Sequence, residues 1–196
     1  MTTEPLGGAM DPSLATYAQR RSAIAAILEP YVEVSRMAST TDDPNPLEDD
    51  NGLHCRWGDP ETGITWVSVY VKSLSDVDAA VARHRYHVGD YALRFEDSYD
   101  PKTAREEPTD REGHFVFVFE YVDTVRVIVG TCQVSILSSI RSISVSDLVE
   151  PALEIGRTIG CSPYENDFVP PEIPEKWRGI TWVAPPFPPF RPPFPE

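Results

Sequence analysis

The sequence predicts an α+β domain built on an antiparallel sheet of about five strands, followed by a proline-rich C-terminal arm. Three observations predict it. Strand-like segments come in neighbouring groups joined by short turns. Apolar patterns of helical period stand before, between and after those groups. Beyond Ser162 the composition shifts, and eleven of the twenty prolines lie between Pro163 and Pro195. The resulting order, α-ββ-α-βββ-α, calls for helices packed on an antiparallel sheet. The chain of 196 residues then divides into a flexible leader (1–10), a folded domain (11–161) and an arm (162–196).

Asp11 and Pro12 read as the start of the first helix, with Asp as N-cap and Pro at the first helical position. Leu14, Tyr17, Ala18, Ile24, Ala25 and Leu28 share one face at helical spacing. Pro30 should end or kink this helix, and a short segment follows from Tyr31 to about Met37. Residues 38–52 are acidic and rich in turn formers, as expected of a solvated loop. Leu53–Trp57 and Ile64–Val71 read as strands joined by a turn at Gly58–Gly63. The second carries bulk on both faces, which suits a central strand. Ser75 with Asp78 resembles a capping pair, opening a helix to about Val88 with Gly89 as its stop. Tyr91–Glu96 could form a short strand. Residues 97–112, charged and containing Pro101 and Pro108, are expected to be a mobile loop. His114–Tyr121 and Val125–Leu137 are the strongest strand signals, turning at Val122-Asp123-Thr124. A last helix begins at Ser146 or Asp147 and ends at Gly160, with Pro163 preventing its continuation.

All four tryptophans fall in two related phrases, Trp57–Val67 and Trp177–Val183, which share one pentapeptide. Gly63-Ile64-Thr65-Trp66-Val67 lies in the second strand, and Gly179-Ile180-Thr181-Trp182-Val183 repeats it in the arm. The copies stand 116 residues apart with different flanks, which excludes an array of short stacked repeats. The arm's last eleven residues before Glu196 favour polyproline II, which places Phe187 and Phe190 on one face and Phe194 off it. Trp177, Trp182, Phe187, Phe190 and Phe194 are therefore the candidate binding residues. The arm can clasp its own domain, add a strand to another subunit, or offer a proline-rich ligand to a partner.

The formal net charge is −14, which disfavours a nucleic-acid partner and repels anionic membranes. No apolar run is long enough to span a bilayer. Residues 1–10 do not read as a signal peptide. The expected location of the chain as it stands is the cytoplasm, with export the alternative should a signal precede it. Cys55, Cys132 and Cys161 are too widely spaced for a metal motif, and their odd number leaves at least one unpaired within the chain. No metal or other cofactor is expected.

Candidate catalytic groups are sparse. His84 and His87 stand three apart on a helix, but His84 aligns with Val77, Ala80, Val81 and Val88, so it reads as a packed histidine. His54 and Cys55, adjacent on a strand, point to opposite faces. His114 and Cys132 occupy the two arms of the strongest hairpin. They face one another if Tyr121 pairs with Val125; a slip of one residue sets Cys132 against Phe115. The loop carboxylates read as solvated rather than as an acid–base pair, and the glycine-rich phosphate loops and nucleophile elbow are absent.

Cys55-Arg56-Trp57, the alternating strand Trp66–Val71, a helix, the hairpin segment Gly130-Thr131-Cys132-Gln133-Val134 and a last helix ending at Cys161 together resemble small actinobacterial lipoprotein domains. The resemblance covers about residues 50–161. It implies an exported domain of PsbP-like α/β architecture and supplies no functional residues. The expected function is a non-catalytic binding or interaction protein whose arm docks in cis or in trans. One alternative is a small enzyme using Cys132 with His114 or His84. Another is an acidic inhibitor or immunity-type partner of a basic protein.

Overall fold

The fold, taken from a computed structural model, is described for residues 14–39, 52–59, 61–62, 64–94, 103–165 and 167. It is α+β. Helix α1 (Tyr17–Val32) leads through β1 (Ala38–Ser39) to the hairpin β2 (Leu53–Gly58) and β3 (Thr65–Ser73). Helix α2 (Val77–Arg94) crosses over to β4 (Ala104–Glu107), and β5 (His114–Phe119), β6 (Thr124–Val129) and β7 (Cys132–Ser138) return as a meander. Helix α3 (Val149–Thr158) closes the domain. The seven strands, all antiparallel, stand in the order β1-β2-β3-β7-β6-β5-β4.

The sheet carries two unequal cores. Val67, Val69 and Val71 of β3, with Val134 and Ile136 of β7 and Val125 and Val127 of β6, face α1 and α3. On the opposite face Val81 of α2 packs on Phe117, Phe119, Ile128 and Ala104. Helix α2 thus covers the β4–β6 side of that face, and no helix among the described residues covers the β2–β3–β7 side. This asymmetry positions the site described below. No described helix is long and apolar enough to cross a membrane.

Helix α1 begins later than Asp11. Thr16 is its N-cap, accepting from Gln19 N while the Gln19 side chain accepts from Thr16 N, which closes a capping box. Its buried face is Tyr17, Arg20, Ile24, Leu28 and Val32, so Ala18 is exposed and an arginine occupies the core-facing row. Pro30 does not end the helix. It sits in the last turn on an exposed face, and Glu33 closes the end in a left-handed conformation, its N–H bonded to Glu29 O at 3.2 Å.

Four further expectations are corrected. The cap of α2 is Asp76 rather than Ser75, accepting from Ala79 N at 3.0 Å. Gly89 does not stop α2, which runs on to Arg94 and displaces the strand expected at Tyr91–Glu96. A glycine ends a helix by turning left-handed, and Gly89 does not. The loop expected at 97–112 contains β4, an edge strand whose Ala-Arg-Glu-Glu sequence lacks strand-forming residues; its charge suits an exposed sheet edge. Finally, Val125–Leu137 is two strands. Gly130, at φ 58°, makes a two-residue turn with Thr131, and Val129 pairs with Cys132. With β1, which lies in the segment 38–52 expected to be a loop, the described residues hold seven strands rather than five. At the other end of α3, Gly160 takes φ 62° as expected of a C-terminal cap.

Candidate functional site

Alternation along three strands aims polar side chains at the face that α2 leaves open. The ladders place Tyr70 opposite Ser135 and Ser135 opposite Arg126, one row across β3, β7 and β6. The next row holds Lys72 opposite Gln133. With Arg83 and His84 of α2 above them, these side chains line a cleft of about 500 Å³ between helix and sheet. That volume suits a small organic ligand.

His84 anchors the covered end of the cleft. It is 3% exposed, and its ring packs on Phe117 at 5.0 Å and Phe119 at 6.5 Å between centroids. Gln133 Nε2 donates to Ser135 Oγ at 3.4 Å, so Gln133 Oε1 is the acceptor for His84 Nε2, 3.2 Å away. The proton then sits on Nε2, and Nδ1 is left as a buried acceptor without a partner among the described residues. Burial holds the imidazole pKa below its ordinary value, and the positive charges of Arg126 and Arg83 push it the same way against the Gln133 hydrogen bond. His84 is neutral at pH 7.

Among the described residues that line the cleft there is no carboxylate, while Lys72, Arg83 and Arg126 bring positive charge. The Arg126 guanidinium stacks on Phe119 at 5.5 Å. Beyond the cleft, along β2, His54 Nε2 meets Ser68 Oγ at 2.8 Å, and Arg56 Nε donates to His54 Nε2 at 3.3 Å. A half-covered antiparallel sheet ordinarily has one polar face. Two features exceed that ordinary case: the charges are of one sign in a chain of net −14, and a buried imidazole nitrogen is unsatisfied.

The sequence-derived candidates distribute differently. His84 lies in the cleft. His114 and Cys132 each oppose Val129, on β5 and β7 respectively, so β6 separates them by two strand spacings, about 10 Å. The turn begins earlier than either expected register requires, with Phe119 opposite Thr124, and no dyad forms. Cys132 faces the α1–α3 core while His84 lies on the other face, which also separates that pair. Trp177, Trp182, Phe187, Phe190 and Phe194 lie outside the described residues. Lys72, Arg126 and Gln133 were not singled out from sequence. Their signal was there in the alternation of Ser68, Tyr70 and Lys72 against three valines, but only the strand register gathers them.

A second recess lies at the far end of α1. Tyr31, Trp66, Met37, Ile140 and Ile143 line a groove of about 600 Å³, and an adjoining one of about 470 Å³ shares Tyr31 and Ile143 and reaches Asp147 and Glu150. Trp66 is displayed there because β3 carries a bulge at this point: Trp57 opposes Val67 while Gly58 opposes Thr65, leaving Trp66 unpaired on β2's side.

No curated protein and no solved structure shows a significant match to this chain. Residues 16–178 match the family described as "Domain of unknown function (DUF7956)", and the chain belongs to it. The match takes in the whole sheet and all three helices and stops before the second Gly-Ile-Thr-Trp-Val phrase.

Proposed function

We propose that this member of a family of unknown function is a non-catalytic binding module whose cleft between α2 and the open half of the sheet takes a small organic anion. The observation that carries the reading is the convergence of Lys72, Arg83 and Arg126 around a buried, unsatisfied His84 with no described carboxylate among them. Guanidinium and ammonium groups supply the charge, and Tyr70, Ser135 and Gln133 supply hydrogen bonds that fix orientation. The three cysteines lie outside the cleft, and the proton of His84 Nε2 points at Gln133 rather than at Ser135.

Isothermal titration with inorganic phosphate and with di- and tricarboxylates tests the proposal. Saturable binding to the wild type is expected, weakened at least tenfold in both Lys72→Gln and Arg126→Gln. Arg21→Gln, on the opposite face beside Trp57, should leave it unchanged. Absence of binding across the panel, or equal affinity in all variants, refutes the assignment.

A second reading concerns the arm, and the aromatic groove at Tyr31 and Trp66 favours it. Exposed aromatic side chains beside carboxylates suit a polyproline segment carrying an arginine. The arm's Pro185–Pro195 stretch, with Arg191 within it, has that chemistry. Its origin is fixed at the near end of α1, where Asp167 Oδ1 accepts from Ala18 N at 3.0 Å. Helix α1 spans about 24 Å, whereas the 17 residues from 168 to 184 reach about 55 Å when extended. Docking in cis is therefore within reach. Size-exclusion with light scattering on the full chain and on residues 1–176 separates this from strand exchange: equal monomeric masses exclude exchange. Unchanged hydrogen exchange at Tyr31–Met37 excludes the clasp.

A further inference from the structure

Gly160 turns the chain left-handed after α3 and lays the next residue, Cys161, against the β6–β7 turn. There the Cys161 thiol donates at 3.5 Å to the carbonyl of Thr131, the residue before Cys132, and packs against the core cluster that contains Cys132, beside Ser73, the residue paired to Cys132 across the ladder. The two sulfurs differ in access. Cys132 is buried in the core and Cys161 is half-buried at its margin. The placement of Cys161 is not left to its own turn. Arg20, fully buried, donates through Nη1 to Ser162 O and through Nη2 to Pro163 O at 3.0 Å, and so clamps the two residues that follow. Its guanidinium charge also reaches both thiols. The third cysteine, Cys55, stands apart on β2 as the acceptor of a Tyr17 hydroxyl contact at 3.8 Å.

We propose that Cys132 and Cys161 form a reversible dithiol–disulfide pair that exchanges with low-molecular-weight disulfides, Cys161 attacking and Cys132 resolving. In the first step the Cys161 thiolate attacks one sulfur of a disulfide RS–SR. A Cys161–SR mixed disulfide forms and one RS⁻ leaves. In the second, Cys132 gives up its proton and attacks the Cys161 sulfur. The Cys132–Cys161 bond forms and the second RS⁻ leaves. Two thiols are oxidised, one external disulfide is reduced to two thiols, and the two protons pass to the departing thiolates. The electrostatics agree with this division of labour. The hydrogen bond from Cys132 holds the Cys161 pKa below that of an ordinary thiol and raises that of Cys132, with burial raising Cys132 further and Arg20 favouring both thiolates.

The consequence is a redox-controlled anchor for the segment that follows α3. That segment packs Tyr164 on Tyr17 at 6.1 Å and bonds Glu165 to the start of α1, through Tyr17 N at 3.0 Å and Ala15 O at 2.8 Å. The arm departs from it. In the oxidised form the sheet holds it covalently as well; in the reduced form the noncovalent contacts of Arg20, Tyr164 and Glu165 remain.

The test is incubation of the reduced full-length protein with oxidised glutathione at neutral pH, followed by intact-mass analysis and peptide mapping. The wild type is expected to lose two hydrogens and give a Cys132–Cys161 linked peptide, with Cys55 still a free thiol. Cys132→Ser should stop at a single glutathione adduct on Cys161. Wild-type protein that remains fully reduced, or whose linked peptide contains Cys55, overturns the proposal without recourse to any variant. An adduct in Cys132→Ser located anywhere but Cys161 overturns the order of attack. None of these outcomes depends on the anion cleft, on the other face of the sheet.

Discussion

Replacing His84 by leucine tests whether the cleft retains a residue at a cost to stability. Leucine is close to imidazole in volume, and the site between α2 and Phe117 is closed. The substitution removes the hydrogen bond to Gln133, a loss of about 0.5–1.5 kcal/mol. It also removes a buried acceptor that has no partner, whose desolvation costs about 1–3 kcal/mol. Packing aliphatic carbon on Phe117 and Phe119 adds a favourable term of about 1 kcal/mol. Gln133 is itself buried; it keeps its bond to Ser135, but its Oε1 loses the donor, which offsets about 1 kcal/mol of the gain. The net expectation is a variant about 1 kcal/mol more stable at pH 7, melting about 2–4 °C higher for a domain of this size. Urea denaturation with matched m-values, together with anion titration, measures both sides. Greater stability with weakened binding supports the reasoning, since functional sites commonly hold residues that stability alone would not choose. A loss of 1 kcal/mol or more refutes it, because Nδ1 must then be satisfied in the folded protein.

Three further expectations follow from packing and charge. Gly156→Ala should destabilise by about 1–2 kcal/mol although alanine is the better helix former, because its Cβ would stand 2.7 Å from Val129 Cγ2 where α3 crosses β6; chemical denaturation checks it, and a stabilised variant would mean that Val129 yields freely. Arg20→Leu should cost about 3 kcal/mol or more, since it strands the carbonyls of Leu14, Ser162 and Pro163, and hydrogen exchange should show Tyr17 and Glu165 losing protection first. Acid should destabilise the protein: burial lowers the pKa of both His84 and His114 in the folded state, so the unfolded chain takes up protons as pH falls below about 6.5 while the folded one resists. The stability these neutral rings contribute is complete above that pH and is lost on the way down through the folded values. His84→Leu should flatten the decline between pH 7 and 5; an unchanged slope would show that His84 does not carry it.

The elements legible from sequence were those whose signals are local. The β2–β3 hairpin announced itself by a turn-rich connection between alternating runs, and α3 by a glycine that does turn left-handed at its end. Gly89 misled because a glycine marks a helix end only when the tertiary structure turns there, and here α2 continues beyond the sheet contacts of Val88. Strand β4 was invisible because an edge strand is held by its partner's free hydrogen-bonding groups, not by its own side chains. The His114–Cys132 pairing failed for a related reason. Register is a property of turns, and the unread turn at Gly130 moved Cys132 to a different strand. The cleft was not read from sequence: Ser68, Tyr70 and Lys72 alternate with three valines, but only the non-sequential β3–β7 pairing sets that face beside Ser135 and Arg126. Arg20 gave no signal at all, since beside Arg21 it reads as part of a solvated basic pair.

The cleft's charge opposes that of the molecule, and this makes salt a discriminating variable. At a distance an approaching anion meets a net charge of −14 and is repelled; within the cleft it meets Lys72, Arg83 and Arg126. The screening length falls from about 10 Å at 0.1 M salt to about 3 Å at 1 M. Added salt therefore weakens the long-range repulsion first, while contacts at hydrogen-bond distance in a partly enclosed cleft are screened less. The association rate should rise with salt, the reverse of the usual behaviour of a basic site on a basic surface, and the dissociation rate should rise as well but less steeply than for an exposed ion pair. Stopped-flow measurement of the anion identified by titration, between 0.05 M and 0.5 M salt, reads both rates. An association rate that falls steeply over that range would mean that the cationic groups act on bulk solution as an exposed patch, and the argument for an enclosed, oriented site would not stand.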